Sequence, residues 1–364
     1  MAKLLAWVLL CCASLAQGAE QSWDELVAAA KREGRVVVLG PPDTQLRQNL
    51  SNAFKARFGV AVEYISGRGS ALGAKLRLER SAGVYSADVA IAGVDTMSTV
   101  FYHEKMLAPL RPALVLPEVL DGSKWKKGKL WFVDPEQQYV LRLMSTVQNA
   151  FHINTREVKP DDLRSARDLL NPKWKGKISA DDPGMPGSGS NTSSRLYLQF
   201  GEEFVKKLYI DQKPMISRDR RQLTDWLLRG TYPIAFSVDD DQVDGMRKEG
   251  FPVKEVVSLP DMPASLSAGN GHVALFNQAP HPNAAKIFVN WLASKEGLEL
   301  YARAVAAAPT RSDIDVLALG VMPAQRIPQP GINYFDTSDW EFNVTQRPKL
   351  RILMQEMMKL RHTD

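Results

Sequence analysis

The residues that could hold or transform a solute gather in a few short strings. Gly187-Ser188-Gly189-Ser190-Asn191 offers hydroxyls within a run of small residues. A hydrolase would place its nucleophile in a G-x-S-x-G elbow and supply a His and an acid to activate it. Gly189 sits where the nucleophile's neighbour should be, so that frame is missing. The Gly-Lys-Ser/Thr ending of a phosphate-binding P-loop is missing as well. What remains is a small-residue loop feeding a helix start, whose free N–H groups and positive dipole end suit an anion. A flexible turn has the same composition. Gly67-Arg68-Gly69-Ser70 is similar, with Arg68 able to give a forked pair of hydrogen bonds to a carboxylate or phosphonate, or simply to be solvated.

Metal chemistry finds little support. The five histidines (His103, His152, His272, His281 and His362) include no pair at ligand spacing. No metal site, catalytic residue or cofactor is therefore expected. Asp239-Asp240-Asp241 reads two ways: a carboxylate offered to a cation or a ligand amine, or a cap for the next helix. The cap is the favoured reading.

The elements that must position these strings follow from periodicity. Ser22-Trp23-Asp24-Glu25 is a capping box that opens a helix stopping at Gly34. The run Val36–Leu39 is a buried strand closed by Gly40-Pro41-Pro42, after which Asp43 or Thr44 caps a helix with Leu46, Leu50, Ala53, Phe54 and Phe58 on one face. Strands at Val60–Ile65 and Ala87–Ala92 with a helix at Ala71–Arg80 between them complete a βαβαβ alternation, the signature of a parallel sheet covered on both faces. Such sheets bind ligands outside the carboxyl ends of their strands. The loops at Gly40–Asp43, Ser66–Ser70 and Gly93–Thr96 should therefore share one mouth.

A second alternation runs from Gly176–Ser179, through a loop from Asp182 to Asn191 and a helix at Thr192–Gln199, to a helix near Asp219–Arg229 and a strand at Tyr232–Val238. Tyr139–Ile153 reads as one extended strand entering this second lobe, and His272–Phe276 as the strand returning from it. Asn283 should cap a helix running to Lys295. The basic tail Arg347–Arg361 reads as a solvated helix.

Composition bounds the class. The chain has 364 residues, 45% hydrophobic and 24% charged, so disorder, collagen and disulfide scaffolds fall away. Single cores stop growing at about 250–300 residues, which predicts two lobes. A net +5 over a large mixed charge population makes no nucleic-acid stripe. Both cysteines, Cys11 and Cys12, lie in a segment with the Lys3 charge, apolar core and small-residue end of a secretory signal peptide, residues 1–19. Cleavage there would leave a thiol-free, exported and soluble chain.

Three further strings carry a resemblance: Trp23…Leu26…Ala29-Ala30-Lys31-Arg32-Glu33-Gly34-Arg35-Val36-Val37-Val38, Asn171-Pro172-Lys173-Trp174-Lys175-Gly176-Lys177-Ile178, and Ala279-Pro280-His281-Pro282-Asn283-Ala284-Ala285-Lys286…Phe288…Trp291-Leu292…Ser294-Lys295-Glu296-Gly297. In order and spacing the chain resembles the periplasmic solute-binding proteins of ABC importers, in the branch holding the ferric-iron, aminoethylphosphonate and phosphoglycerate receptors. The resemblance implies an α/β, two-lobed periplasmic-binding-protein type II fold. Each lobe would be a mixed, mostly parallel sheet flanked by helices, with two crossing strands as hinge. Lobe 1 would take residues 20–138 and 268–315, and lobe 2 residues 139–267 and 316–364. Ferric binders of this branch carry an adjacent Tyr-Tyr pair. Here the matching stretch is Phe236-Ser237-Val238-Asp239-Asp240, so an anionic organic solute is favoured over iron.

The expected protein is a non-enzymatic, monomeric periplasmic receptor with no nucleic-acid partner, delivering its solute to an inner-membrane ABC permease. A secreted enzyme and a sensor-docking protein are the alternatives on the same scaffold. The expected contacts are Pro42 and Asp43; Arg68, Gly69 and Ser70; Asp95 and Thr96; Ser188, Gly189, Ser190 and Asn191; and Ser237 with Asp239.

Overall fold

Ser22 is an N-cap: its hydroxyl accepts from Glu25 N (3.3 Å) while Glu25 takes the Ser22 N–H (2.9 Å). This computed structural model describes residues 22–362, so the expected leader and its two cysteines lie outside the described residues. Helix α1 (Trp23–Glu33) ends at Gly34, whose φ of 77° only glycine adopts freely. Removing the Ser22 hydroxyl in Ser22→Ala is expected to cost about 1 kcal/mol, read from urea unfolding.

Strand β1 (Arg35–Gly40), helix α2 (Thr44–Phe58), β2 (Ala61–Ser66), α3 (Gly69–Ser81) and β3 (Val89–Ala92) follow the expected alternation, and β1 pairs in parallel with both β2 and β3. Short helices α4 (Val94–Thr96) and α5 (Pro117–Leu120) and strands β4 (Leu107–Ala108) and β5 (Leu141–Arg142) come next. Much later β13 (His272–Phe276) enters antiparallel between β3 and β4 and also pairs with β5. One face packs Val36, Val38 and Leu50 under helix α9 (Pro282–Ala293), where Phe54 meets Phe288 at 5.1 Å and Trp291 at 5.4 Å. The other face buries Leu39, Leu72, Phe101 and Phe276. The expected covering on both faces is observed.

The second lobe holds β7 (Phe151–Asn154), β8 (Ile178–Ala180), helix α6 (Ser188–Lys206), β9 (Met215–Ile216), α7 (Arg220–Arg229), β10 (Ile234–Ala235), α8 (Asp240–Lys248) and β11 (Val253–Val256). Its sheet runs β11-β7-β10-β8-β9, parallel through β10-β8-β9 and antiparallel through β7.

The hinge differs from the sequence expectation. Tyr139–Ile153 is not one strand: β5 ends in the first sheet, β6 (Thr146–Gln148) stands apart, and β7 joins the second sheet. The break follows from Leu143 and Met144 giving their N–H groups to Gly271 O, which turns the chain out of the first sheet. His272–Phe276 lies inside the first sheet, and the returning strand is β12 (Ser265–Ser267), antiparallel to β6. The two crossing strands are joined by a third, β14 (Phe335–Asp336), parallel to β12.

Three helical expectations are corrected. The helix expected from Asn283 to Lys295 is two: α9 starts at Pro282, and Ser294 caps α10 (Lys295–Val305). Asn283 does not cap; its N–H and amide both donate to Glu33, tying α9 to α1. The basic tail forms α12 (Arg347–Lys359), following the short helix α11 (Val316–Leu319). Far from being merely solvated, α12 buries Met354 and Met357 in the second core, with Arg347 only 7% exposed. No helix among the described residues is long and apolar enough to cross a membrane.

Candidate functional site

The carboxyl end of β1 and the hinge strands border a cleft of about 700 Å³ between the lobes. Pro42 and Asp43 line it from the first lobe, Thr146, Gln148 and Ser267 from the hinge, and Arg220, Asp239 and Arg326 from the second-lobe side. A smaller compartment of about 80 Å³ opens beside it in the second lobe, and the two share Gln148 and Arg220. Ser188, Asn191, Thr192, Arg195 and Ser237 face this compartment.

The acids of the large cleft are engaged by backbone. Asp43 accepts from Leu46 N at 2.8 Å as the cap of α2, and Asp239 accepts from Gln242 N at 3.1 Å as the cap of α8. The cap reading of Asp239 is the one the structure displays. Arg220 has no carboxylate partner among the described residues; it donates to Ser237 O (3.2 Å) and Val238 O (2.6 Å). Those bonds pin a turn in which Ser237 has a φ of 63°, a conformation uncommon for a non-glycine residue. Arg326 reaches from the segment after α11, giving Nε to the hinge carbonyl Val147 O (3.4 Å) and pairing with Asp240 (3.3 Å).

At the start of α6 the expected loop is already helix, because Ser188 is its first residue. Its terminus is filled from within. Ser188 Oγ and Gly189 N both donate to Asp181 Oδ2, at 2.5 and 3.0 Å. Gly189 is required here by space: a Cβ would overlap Asp182 O and sit 2.6 Å from Asp181 O. Gly189→Ala should push the Asp181-Asp182 backbone off the helix and cost about 1–3 kcal/mol, seen as a lowered melting point by circular dichroism. Ser190 is buried behind the compartment, donating to Gly187 O and accepting from Arg347.

Arg195 lies two turns along α6 from Ser188, on the same face. It is 3% exposed, and among the described residues its only side-chain hydrogen bond is a long one, 3.5 Å to Pro263 O. Burial brings its pKa down to about 10, with Tyr209 opposing weakly. His152, also buried, stands 3.3 Å from Asp240; burial holds its pKa below the usual imidazole value against the pull of Asp240 and Glu255. Arg347 is buried in turn, and burial lowers its pKa while Asp95 raises it.

Of the residues singled out in the sequence, Pro42, Asp43 and Asp239 face the large cleft and Ser188, Asn191 and Ser237 the small compartment. Arg68 is exposed and lines neither. Gly69 sits against Thr96, since a Cβ there would overlap Thr96 Oγ1, so these two loops meet each other but not the cleft. Ser70 lies in the first turn of α3 and Asp95 in α4, where Asp95 O accepts from Thr99. Sequence reasoning missed Gln148, Arg195, Arg220 and Arg326. Helical spacing could have found Arg195, because 188, 192 and 195 share a face at i, i+4 and i+7. Arg326 ends a single 3-10 turn, Ala324–Arg326, too short to carry such a signal.

Comparison with known proteins comes to the same architecture. Residues 39–299 match the family described as bacterial extracellular solute-binding protein. An uncharacterized protein of Haemophilus influenzae is 22% identical over 285 residues, covering 75% of this chain and 76% of that one. The periplasmic binding protein AfuA of Actinobacillus pleuropneumoniae, solved with exogenous fructose-6-phosphate bound, superposes with a TM-score of 0.66 at 18% identity, over 90% of this chain and 99% of that one. Iron-bound HitA of Pseudomonas aeruginosa gives 0.63 at 15%, over 89% and 99%. At these identities the likeness establishes the two-lobed fold.

Proposed function

Since its match spans residues 39–299, the chain belongs to the bacterial extracellular solute-binding protein family, and we propose that it captures a small anionic solute between its lobes for delivery to an ABC permease. The observation that carries the charge is the cationic second-lobe wall. Arg220 faces both compartments with no carboxylate partner among the described residues, whereas the lining acids Asp43 and Asp239 already accept from helix N-termini and Asp240 is paired with Arg326. A solute reaching both lobes gains donors that neither lobe offers alone, so it shifts the hinge toward closure by its differential affinity for the closed state. The segmented β6-β12-β14 sheet is where such motion is absorbed.

The same reading has the protein act in the periplasm as a receptor without turnover. Of the residues chosen from sequence, it keeps Pro42, Asp43, Ser188, Asn191, Ser237 and Asp239 as contacts and adds Gln148, Arg220 and Arg326. Ferric iron fits this lining less well: no Tyr-Tyr pair occurs in the chain, and among the described residues no three His, Cys, Asp or Glu side chains gather to hold a metal.

A thermal-shift panel of phosphate esters, phosphonates and organic acids, with ferric ion alongside, tests this. The expected result is a rise in melting temperature with a subset of the anions. In Arg220→Met, affinity for the best of them should fall roughly 10- to 100-fold by calorimetry. Silence from every anion, together with a visible charge-transfer band on adding ferric ion, would contradict the reading.

A further inference from the structure

The small second-lobe compartment combines three features that one occupant explains. The first is a cation without a counter-charge. Arg195 is 3% exposed and forms no ion pair with any described residue; its one bond, to Pro263 O, leaves most of a five-donor fork unused. A buried charge of this kind is costly unless something answers it. The second is that part of the usual anion position at the helix start is taken, because Asp181 occupies the Gly189 N–H and the Ser188 hydroxyl in the first turn of α6. A ligand anion must therefore sit further along the helix, at the level of Thr192 and Arg195. The third is the density of polar groups from separate elements. Thr192 Oγ1 and Ser237 Oγ are 3.3 Å apart, so one of their two protons stays available. Asn191 lines the compartment too, and its buried Oδ1 has no hydrogen-bond partner among the described residues. Ser265 and Thr337 close the far side from the hinge strands. The acid in this lining, Asp240, is already answered by Arg326 (3.3 Å), Asn149 (3.1 Å) and His152 (3.3 Å).

We propose that this compartment is a subsite for a tetrahedral oxyanion, the phosphoryl, phosphonyl or sulfuryl end of the solute, with Arg195 as its counter-charge and the body of the solute in the larger cleft. The inference rests on the anion-receptor reading and sharpens it. Size agrees: at roughly 15 Å³ for each water-sized group, 80 Å³ takes about five such groups, the count of a central atom and four substituents. Geometry agrees as well. A carboxylate presents two oxygens in one plane, while donors here approach from α6, the Ser237 turn and the hinge side, enough for three oxygens pointing apart. Arg195 thereby supplies the charge, and the three-sided donor set separates tetrahedral from planar anions.

The test titrates the full chain with inorganic phosphate, methylphosphonate, sulfate and acetate, in wild type, Arg195→Met, Thr192→Val and Arg220→Met. Wild type should bind phosphate or methylphosphonate and leave acetate unbound at the same concentration; sulfate against phosphate separates sulfuryl from phosphoryl preference. Arg195→Met should weaken phosphate roughly 10- to 150-fold, the loss of a charged hydrogen-bonding partner. Its ligand-free melting point should hold or rise, since an unanswered buried charge is gone, a response that a merely structural role would not produce. Thr192→Val should weaken phosphate by a smaller factor, and it carries the test should Arg195→Met fail to fold. Acetate bound as tightly as phosphate overturns the proposal, as does phosphate binding undiminished in Arg195→Met, or in Thr192→Val when Arg195→Met does not fold. Anions lost in Arg220→Met yet intact in Arg195→Met would remove the subsite and leave the receptor reading standing. A wild type that binds no anion would remove both.

Discussion

Asp336→Ala is expected to destabilise the protein by about 3–5 kcal/mol, because it strands a buried charge. Asp336 accepts from Arg142 Nη1 through both carboxylate oxygens, at 2.8 and 2.6 Å. Arg142 is fully buried, gives Nε to Met144 O (2.9 Å) and Nη2 to Ser145 Oγ (3.2 Å), and lies 4.1 Å over the Trp131 ring. Truncating the acid leaves this guanidinium in place without its counter-charge, and the low end of the range applies because Asp336 is 28% exposed and water can reach the vacated side. Because Asp336 belongs to β14, the same substitution unties the third hinge strand. The control is the double variant Arg142→Met/Asp336→Ala, in which no charge is stranded. It should be less destabilised than Asp336→Ala alone. Urea unfolding of the three proteins decides: a single variant within about 1 kcal/mol of wild type would mean the pair contributes as little as a surface ion pair.

The second large effect is acid sensitivity centred on His272. This residue sits opposite Arg142 in the β13–β5 pair, fully buried, with neither ring nitrogen in a well-formed hydrogen bond among the described residues and only the Ala92 backbone near enough to favour a charged ring. Burial, reinforced by the Arg142 charge, takes its pKa from 6.5 down to about 3. The folded protein therefore keeps the ring neutral where the unfolded chain protonates it. That stability is fully present above pH 6.5 and is lost as pH falls from there toward 3, by up to about 1.4 kcal/mol for each pH unit. His152, shifted in the same direction by burial, adds to the slope. Unfolding free energies between pH 7 and 4 should fall more steeply for wild type than for His272→Leu. Equal slopes would show that His272 is solvated or already charged in the folded state.

Both effects lie at a point that sequence alone did not reveal. The elements themselves were legible wherever local rules dominate. The Ser22 capping box, the Asp43 cap, the Gly34 stop and the βαβαβ opening each depend on residues within a few positions of one another. The hinge depends on distant partners. Nothing near Leu143 announces that Gly271 O will draw the chain aside, so Tyr139–Ile153 reads as one apolar strand although three sheets share it. The third strand, β14, is two residues long and pairs with β12 across some 70 positions, beyond any periodicity.

The candidate site shows the same division. Asp43, Ser188 and Asp239 were visible because caps and small-residue helix starts have local signatures. Arg68 drew attention through its glycine neighbours, yet it points to solvent. Two of the arginines that do face the cleft, Arg220 and Arg326, look like ordinary surface charges in sequence. Their placement is set by the Ser237 turn and by the hinge carbonyl of Val147.

Native mass spectrometry of the protein taken from its own cells tests the central claim most directly, because it reads the occupant of the cleft without a chosen panel. The account predicts one small organic anion per chain, released on unfolding and carrying a phosphoryl, phosphonyl or sulfuryl group. A ferric ion, or a neutral or cationic solute in its place, would contradict it.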